Sequence, residues 1–197
     1  MKIKLIKIPN DTDWLNVKDS ALTTMGLSIK NRPDSKWKLM ILKSEHSPIR
    51  DLWFSWKWID LKSWISVHLV RHSIGATPFV FSQRPDRMKG ATEDYDRDKA
   101  PQGALVTHKE SMNAQAIINA SRKRLCYLAS TETREAWQEF VNSLKDYEPE
   151  LYQLCVPNCI IVMVYVVNLK VVDIIKRRNS KNSLINIINY LRIKENE

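Results

Sequence analysis

The sequence contains little glycine and little cysteine. Its 197 residues include only four glycines, and none belongs to a G-x-G-x-x-G motif or a P-loop, which argues against a Rossmann domain and against a P-loop enzyme. The three cysteines, Cys126, Cys155 and Cys159, do not form a disulfide framework, and a lone C-x-x-x-C pair is weak evidence for a metal site. We therefore expect no metal and a reducing, cytoplasmic location.

Long hydrophobic runs are also missing. The longest apolar run extends from Cys159 to Val167 and is too short to span a bilayer. The N-terminus intersperses lysine among apolar residues and lacks the continuous apolar core of a signal peptide. We therefore expect neither a membrane span nor a secretory leader.

What the chain does contain is an excess of positive charge and a large share of hydrophobic residues. The net charge is +9, and 44% of the residues are hydrophobic, including seven tryptophans. This length and composition predict one domain with a substantial core. The charge implies an anionic partner such as a nucleotide, a nucleic acid or an acidic membrane.

Hydrophobic periodicity predicts both strands and helices. Alternation predicts strands over residues 2–5, with a bulge or strand end near Ile6, over residues 52–58 and, more briefly, over residues 79–81. Helical spacing predicts helices over residues 13–25 (capped by Asp11 or Thr12 and stopped by Gly26), 35–44, 64–70, 107–127, and from Ser130 or Thr131 to near Asp146. The polar, charged residues 88–101 predict a loop, where mobile ligand contacts often lie.

Residues 64–87 combine apolar segments with groups that bind anions. These groups are Arg71 and His72, before a Gly75-Ala76 break, and Ser82, Gln83 and Arg84, after a strand-like run. Arginine offers a fixed fork for phosphate, histidine can share a proton near neutral pH, and serine and glutamine add neutral hydrogen bonds. The alternative interpretation is that these are solvated charges in turns.

This stretch resembles the signature of flavin-dependent thymidylate synthases, R-H-R-x-x-S-x-N-E-x-S-x-R. Arg71 and His72 match its opening, and residues 82–84 match its closing S-x-R. Ser73 replaces the third basic residue, the spacing is one residue longer, and residues 77–79 replace the N-E pair. The sequence of residues 72–87 is more similar to a divergent branch of these synthases that is found in phage genomes.

A second block, in the helix predicted over residues 107–127, resembles the N-x-R-S-L-x-N-F-L-x-L-R-x-D-x-H-A-Q-x-E-I segment of the same synthases. The matching residues are Asn113, Ile117, Asn119, Arg124, Ala129 and Glu132. The departures are Gln115, Leu128 and Ser130, which replace Arg, His and Gln. In a regular helix Asn113 and Arg124 would share one face, while Gln115, Asn119 and Arg122 would share the other. With the Ser47-Pro48 turn, the resemblance covers residues 45–135 in separate blocks.

The resemblance implies an α+β fold, with a twisted, mainly antiparallel sheet flanked by helices. It implies a homotetramer with active sites between subunits. The implied reaction is the reductive C5 methylation of dUMP to dTMP, with FAD as cofactor and with methylenetetrahydrofolate and NADPH as co-substrates. No cysteine nucleophile of the protein is required for this reaction.

The resemblance also implies roles for individual residues. Arg124 would be the catalytic residue, stabilising negative charge on the uracil ring. The flavin would be held by Arg71, His72, Asn113, Gln115 and Asn119. The substrate nucleotide would be held by His68, Ser82, Gln83, Arg84 and Arg97. His68 stands where a nucleotide-binding glutamine is usual, although it could equally be a core histidine, and Asp51 occupies the place of a flavin-side histidine.

Two alternatives remain open. A related flavin enzyme could modify another pyrimidine, because the third basic residue and the N-E pair are missing. A basic nucleic-acid-binding protein would explain the charge without a flavin, and its stacking platform could be supplied by Trp53, Trp56, Trp58 and Trp64. We favour core packing for most of these tryptophans. We therefore expect a pyrimidine nucleotide as partner, rather than nucleic acid or a membrane.

The composition changes abruptly after Cys159. Residues 160–197 are rich in Ile, Val, Asn and Lys, carry seven Lys/Arg against three Asp/Glu, and contain no motif of the synthases. Permitted codons for residues 160–174, read two bases further on, yield a Cys-containing peptide that resembles the ending of the phage branch. We therefore interpret residues 1–159 as the domain and residues 160–197 as an atypical tail, and hypothesise that a frameshift replaced the native one.

Overall fold

The computed structural model describes residues 1–88 and 95–160. The strands are β1 (Lys2–Lys7), β2 (Trp53–Lys62), β3 (Ala76–Val80) and β4 (Leu105–Asn113). The α-helices are α1 (Asp11–Thr23), α2 (Ser35–Lys43), α3 (Ser63–Leu69), α4 (Ala114–Arg124), α5 (Thr131–Asn142) and α6 (Pro149–Leu154). Residues 89–94 of the predicted loop, and all but the first residue of the predicted tail, lie outside the described residues.

The four strands form one antiparallel sheet in the order β1-β2-β4-β3. The pairing of β1 with β2 shifts register between Leu5 and Lys7, which confirms the irregularity predicted near Ile6. Buried residues of all six helices join those of the sheet in one hydrophobic core. The predicted α+β class, with a mainly antiparallel sheet flanked by helices, is confirmed.

The centre of the core is a cluster of aromatic side chains from β2 and α5. Trp56 stacks on Phe140, with ring centroids 3.6 Å apart and an interplanar angle of 11°. Trp58 donates its indole N–H to the carbonyl of Ala136 at 2.9 Å. Trp56 and Trp58 are fully buried, and Trp64 packs against the same core. The prediction that most of these tryptophans serve core packing is confirmed, and those in the core offer no platform for bases.

The helix predicted over residues 107–127 begins later than predicted. Residues 105–113 form β4, in which Val106, His108, Glu110 and Met112 alternate as buried residues. The sequence conceals this period because two of the four inward side chains, His108 and Glu110, are ionisable, and they form a hydrogen bond with each other in the core. Asn113 therefore lies outside the helix, as its N-cap, so its predicted place on one face of a continuous helix with Arg124 is wrong.

The N-terminal cap of α1 also differs from the prediction. The helix starts at Asp11, so Asn10 is the N-cap rather than Asp11 or Thr12. The Asn10 side chain accepts from the backbone N–H groups of Thr12 and Asp13, and the Asp13 carboxylate accepts from the backbone N–H of Asn10 at 2.9 Å. This reciprocal pair is a capping box, which satisfies N–H groups that the first turn leaves unpaired.

A buried carboxyl joins α1 to the segment before α6. The Trp14 indole N–H donates to Glu148 at 3.0 Å, and Glu148 is 2% exposed. Burial raises the pKa of Glu148 to about 7, although the hydrogen bond from Trp14 and the charge of Lys38 act in the opposite direction. Compared with the unfolded chain, the folded protein therefore favours the neutral form of Glu148.

Glu148→Gln is expected to stabilise the protein above neutral pH. The folded pKa lies above the ordinary value of 4.5, so the contribution of the acid is complete below about pH 4.5 and is lost as the pH rises through 7. Glutamine keeps an acceptor for Trp14 without the charge, and we expect a gain on the order of 2 kcal/mol near pH 8 that disappears near pH 5. Urea unfolding across this range measures it, with exposed Glu139→Gln as the control. A Glu148→Gln protein less stable than wild type near pH 8 would contradict the prediction.

Candidate functional site

A tight turn after α3 holds the predicted Arg71-His72 pair against α4. Gly75 has φ +70°, and a Cβ there would lie 2.7 Å from Nδ2 of Asn113. The backbone N–H of Asn113 donates to the carbonyl of Gly75 at 3.0 Å. Only glycine fits this close approach, which therefore fixes the turn beside the N-terminus of α4.

Arg124, at the end of α4, meets this turn from the other side. Its Nε donates to Nε2 of His72 at 2.6 Å, and its Nη2 donates to the carbonyl of His68 at 2.6 Å. All three residues are half-buried. Two hydrogen bonds to separate acceptors fix the plane of the guanidinium. The sequence prediction that Arg124 and His72 belong to one site agrees with this contact.

His72 is neutral at physiological pH. Burial, followed by the charges of Arg124 and Lys123, lowers the pKa of His72 to about 4. The expectation that this histidine shares a proton near neutral pH is therefore wrong. Because Nε2 accepts from Arg124, the imidazole carries its proton on Nδ1. Burial and the charge of Arg71 also lower the pKa of Arg124, but arginine remains charged at neutral pH.

The turn and α4 enclose a cavity of about 460 Å³. Its polar lining includes Arg71, His72, Asn119, Arg122 and Lys123, and none of the described residues that line it is acidic. Three cations and four neutral hydrogen-bonding side chains in one concave space favour an anionic ligand. The cavity therefore brings together three of the five residues predicted to hold a flavin, which are Arg71, His72 and Asn119.

The other two predicted flavin residues have structural partners. The Asn113 side chain accepts from the backbone N–H of Ala116 at 2.9 Å and is buried, so it acts as the cap of α4. Gln115 donates to Glu45 at 2.6 Å. Neither residue is among those lining the cavity, and their contact with a flavin stays a prediction.

Glu45 forms hydrogen bonds with two residues on one face of α4, a contact that we call the Glu45 clamp. It accepts from Gln115 and forms an ion pair with Arg122, and both Gln115 and Arg122 lie within hydrogen-bonding distance of Asn119. The predicted common face of these three helix residues is thus confirmed. Although burial opposes it, the bonds from Arg122 and Gln115 hold the pKa of Glu45 below its ordinary value. Glu45 has φ 49°, a left-handed conformation that costs energy in a non-glycine residue.

His68 packs between α3 and α5 rather than into the cavity. Its Nδ1 lies 3.1 Å from the hydroxyl of Thr133, and its ring meets the edge of Trp64. This position agrees with the alternative interpretation of His68 as a core histidine. Its backbone carbonyl still belongs to the site, because it orients Arg124.

The predicted phosphate-binding residues lie at the other end of β3. Arg84 follows the strand and forms a two-bond fork with Asp86, at 3.0 and 2.8 Å. The backbone of Phe81 forms a hydrogen bond with Thr107, near the start of β4, whereas Gly75 forms one with Asn113, at its end. Most of the length of β4 therefore separates Arg84 from His72. A five-residue strand is roughly 17 Å long. Ser82, Gln83 and Arg84 therefore do not line the cavity that holds His72, and Arg97 lies in an exposed turn.

A buried polar network between α3 and β4 was not predicted from the sequence. Nδ1 of His108 lies 2.9 Å from the Ser66 hydroxyl, and its Nε2 lies 3.1 Å from Glu110. Burial raises the pKa of Glu110, although His108 acts in the opposite direction. The order Ser-His-Glu is that of a hydrolase triad, but all three residues are at most 2% exposed. No substrate can reach the hydroxyl, so the network is structural.

The described residues give no sign of a membrane or metal site. No helix in residues 1–88 and 95–160 has the length and hydrophobicity needed to cross a bilayer. The same residues contain no group of three or more His, Cys, Asp and Glu side chains placed to hold a metal ion.

These features define an α+β protein with a four-stranded antiparallel sheet and a cationic cavity beside α4. Solved structures that share this fold include flavin-dependent thymidylate synthases. The chain is similar to the enzyme ThyX from Helicobacter pylori complexed with FAD and dUMP, with a TM-score of 0.60 and 15% identity over 79% of this chain and 100% of that one. A second structure of the same enzyme with FAD and dUMP gives 0.59 and 14%, over 79% and 98%. No protein-family model and no curated protein matches the sequence.

Proposed function

We propose that this protein is a flavin-dependent thymidylate synthase that converts dUMP to dTMP with methylenetetrahydrofolate and NADPH. The observation that carries the proposal is the fold shared with synthases over 79% of the chain. The Arg124–His72 contact at a cationic cavity supports it, since both residues match the sequence signature of these enzymes. The proposed location is the cytoplasm.

The residues of the cavity fit FAD. A volume of about 460 Å³ is within the range of small-molecule sites. Arg71 and Lys123 suit the charge of a diphosphate, whereas Arg122 is already paired with Glu45. His72 and Asn119 add neutral hydrogen bonds. Bound FAD would supply the redox chemistry of the reaction. The protein's part is to bind it and to orient Arg124.

The separation of the two motif halves supports a site shared between subunits. His72 and Arg84 lie at opposite ends of β3, so one chain does not offer both to the same ligand. Arg84, with Ser82 and Gln83, would bind the phosphate of a nucleotide whose base lies near Arg124 of another copy. We therefore propose a homotetramer with active sites between subunits.

Titration of FAD into the purified protein tests the cofactor assignment. We expect binding, and we expect His72→Ala and Asn119→Ala to weaken it about tenfold each, as for the loss of one hydrogen bond. Exposed Asn16→Ala, on α1 and away from the cavity, is the matched control and should bind as wild type does. A folded, oligomeric protein that shows no flavin binding by calorimetry would refute the proposal.

A second candidate is a related flavin enzyme that modifies another pyrimidine nucleotide. It is favoured by Ser73, which lines the cavity at the place where the synthase signature has a third basic residue. A site with one positive charge fewer would bind a ligand of different charge most tightly. FAD binding together with tighter binding of a nucleotide other than dUMP would select this candidate.

A further inference from the structure

The sheet has a second face, opposite the helices, and none of the residues that line the cavity beside α4 lies on it. In β4 the side chains at positions 106, 108, 110 and 112 are buried, so those at the intervening positions lie on the other side. In β2, Trp56 and Trp58 point into the core and Lys57, between them, does not. We call this second surface the open face.

Three lysines lie side by side across the open face. In the strand register, Lys4 of β1 pairs with Lys57 of β2, and Lys57 pairs with Lys109 of β4. Neighbouring strands are about 4.8 Å apart, so the three Cα atoms span roughly 10 Å. Like charges placed directly opposite each other destabilise a sheet. In the described parts of the chain, no carboxylate forms a salt bridge with any of the three.

Exposed aromatic side chains continue this row. Phe79 of β3 is the register partner of Lys109, whose ammonium lies 5.6 Å from the centroid of its ring. Phe79 is 62% exposed and Phe81, two positions further on, is 45% exposed. Trp53, at the end of β2, is 37% exposed. The open face therefore combines lysines that form no salt bridge in the described residues with exposed aromatic rings, one of which contacts the ammonium of Lys109.

We propose that the open face binds single-stranded nucleic acid. The row Lys4, Lys57 and Lys109 would contact phosphates, and Phe79 and Phe81 would stack on bases. A four-stranded sheet that stacks bases on surface aromatics is a physically established mode of single-strand binding. A partner of opposite charge removes the repulsion within the lysine row. A second copy joined by a two-fold axis would instead bring lysines towards lysines.

Fluorescence anisotropy with labelled oligo-dT and oligo-U of about 16 nucleotides tests the proposal on the full chain. The test variant is Lys4→Gln, Lys57→Gln, Lys109→Gln. The matched control is Lys30→Gln, Lys36→Gln, Lys43→Gln, which removes the same charge from exposed lysines before and on α2. We expect the test variant to lose at least tenfold in affinity and the control much less. The slope of log affinity against log salt should fall by about 2 in the test variant, as for three lost phosphate contacts.

A separate variant tests the proposed stacking of bases on the aromatic side chains of the open face. Phe79→Ala should weaken binding about tenfold with an unchanged salt slope, because it removes stacking and no charge. Circular dichroism and urea unfolding should show the lysine variant folded and at least as stable as wild type, since its repulsion is relieved. Single Lys57→Gln provides the same comparison should the triple variant misfold.

Three results would overturn the proposal. The first is absence of oligonucleotide binding by wild type at low salt, whether or not anionic vesicles bind. The second is an equal loss of affinity in the two triple variants, which would show that only net charge matters. The third is a change of oligomeric state in the open-face variant without any change in oligonucleotide binding, which would assign the face to a second copy. FAD binding by the wild-type chain is measured separately in each case, so failure of this proposal is distinguished from failure of the proposed enzymatic function.

Discussion

Replacing Arg124 by alanine is expected to lower turnover by about a hundredfold to a thousandfold, the usual effect of removing one preorganised donor from an active site. The two 2.6 Å bonds to His72 and to the carbonyl of His68 already hold the guanidinium in place. In the proposed reaction, this charge therefore does not have to be oriented as negative charge develops on the pyrimidine. Because the interaction strengthens only in the transition state, the loss should appear in kcat rather than in nucleotide affinity.

Arg124→Lys should restore little of this activity. A single ammonium lacks the planar fork that reaches two acceptors while still facing a ligand. Steady-state kinetics with dUMP measure both variants, and exposed Arg32→Ala, which loses only a surface ion pair with Asp11, is the control. Wild-type turnover in Arg124→Ala would remove Arg124 from the catalytic site.

Replacing Arg84 by alanine is expected to weaken dUMP binding about ten- to a hundredfold, the cost of one charge-assisted hydrogen bond to phosphate. In the structure this fork is occupied by the carboxylate of Asp86, which competes with a phosphate for the same donors. Asp86→Asn should therefore tighten dUMP binding while Arg84→Ala weakens it. Neither change should alter FAD affinity, because neither residue lines the cavity beside α4.

Titration of dUMP into FAD-loaded protein distinguishes these outcomes. Arg87→Ala is a matched control, since Arg87 is an exposed arginine in the same short turn. The alternative, that Arg84 is a solvated charge, predicts equal affinity in Arg84→Ala, Arg87→Ala and wild type. Equal affinity would end the assignment of Arg84 to the phosphate without affecting that of Arg124.

Strands and helices could be predicted from the sequence where apolar residues occupy every inward position of the element. The alternation in β2 and the stripe in α5 both survive in the structure because their inward positions are apolar. The period of β4 could not be recognised, because His108 and Glu110 occupy inward positions, where His108 bonds to both Glu110 and Ser66. A pattern based on hydrophobicity cannot anticipate a buried pair whose partners stabilise it.

The site was predictable in its residue types and less so in its geometry. Arg71, His72 and Asn119, which the resemblance implies as flavin contacts, line one cavity, and their contact with a flavin stays a prediction. The Glu45 clamp on α4 was not predictable, because it joins residues about 70 positions apart with no local pattern. The neutral state of His72 depends on burial beside Arg124, and burial of a turn residue is set by the tertiary structure. The distance between His72 and Arg84 likewise depends on the strand that separates them.

Product analysis tests the central claim most directly. Purified protein is incubated with FAD, NADPH, methylenetetrahydrofolate and dUMP, and the nucleotides are separated and identified by mass spectrometry. The account predicts dTMP in wild type, a strong decrease in Arg124→Ala and an unchanged yield in the Arg32→Ala control. Protein that is folded, oligomeric and loaded with FAD but leaves dUMP unchanged would contradict it.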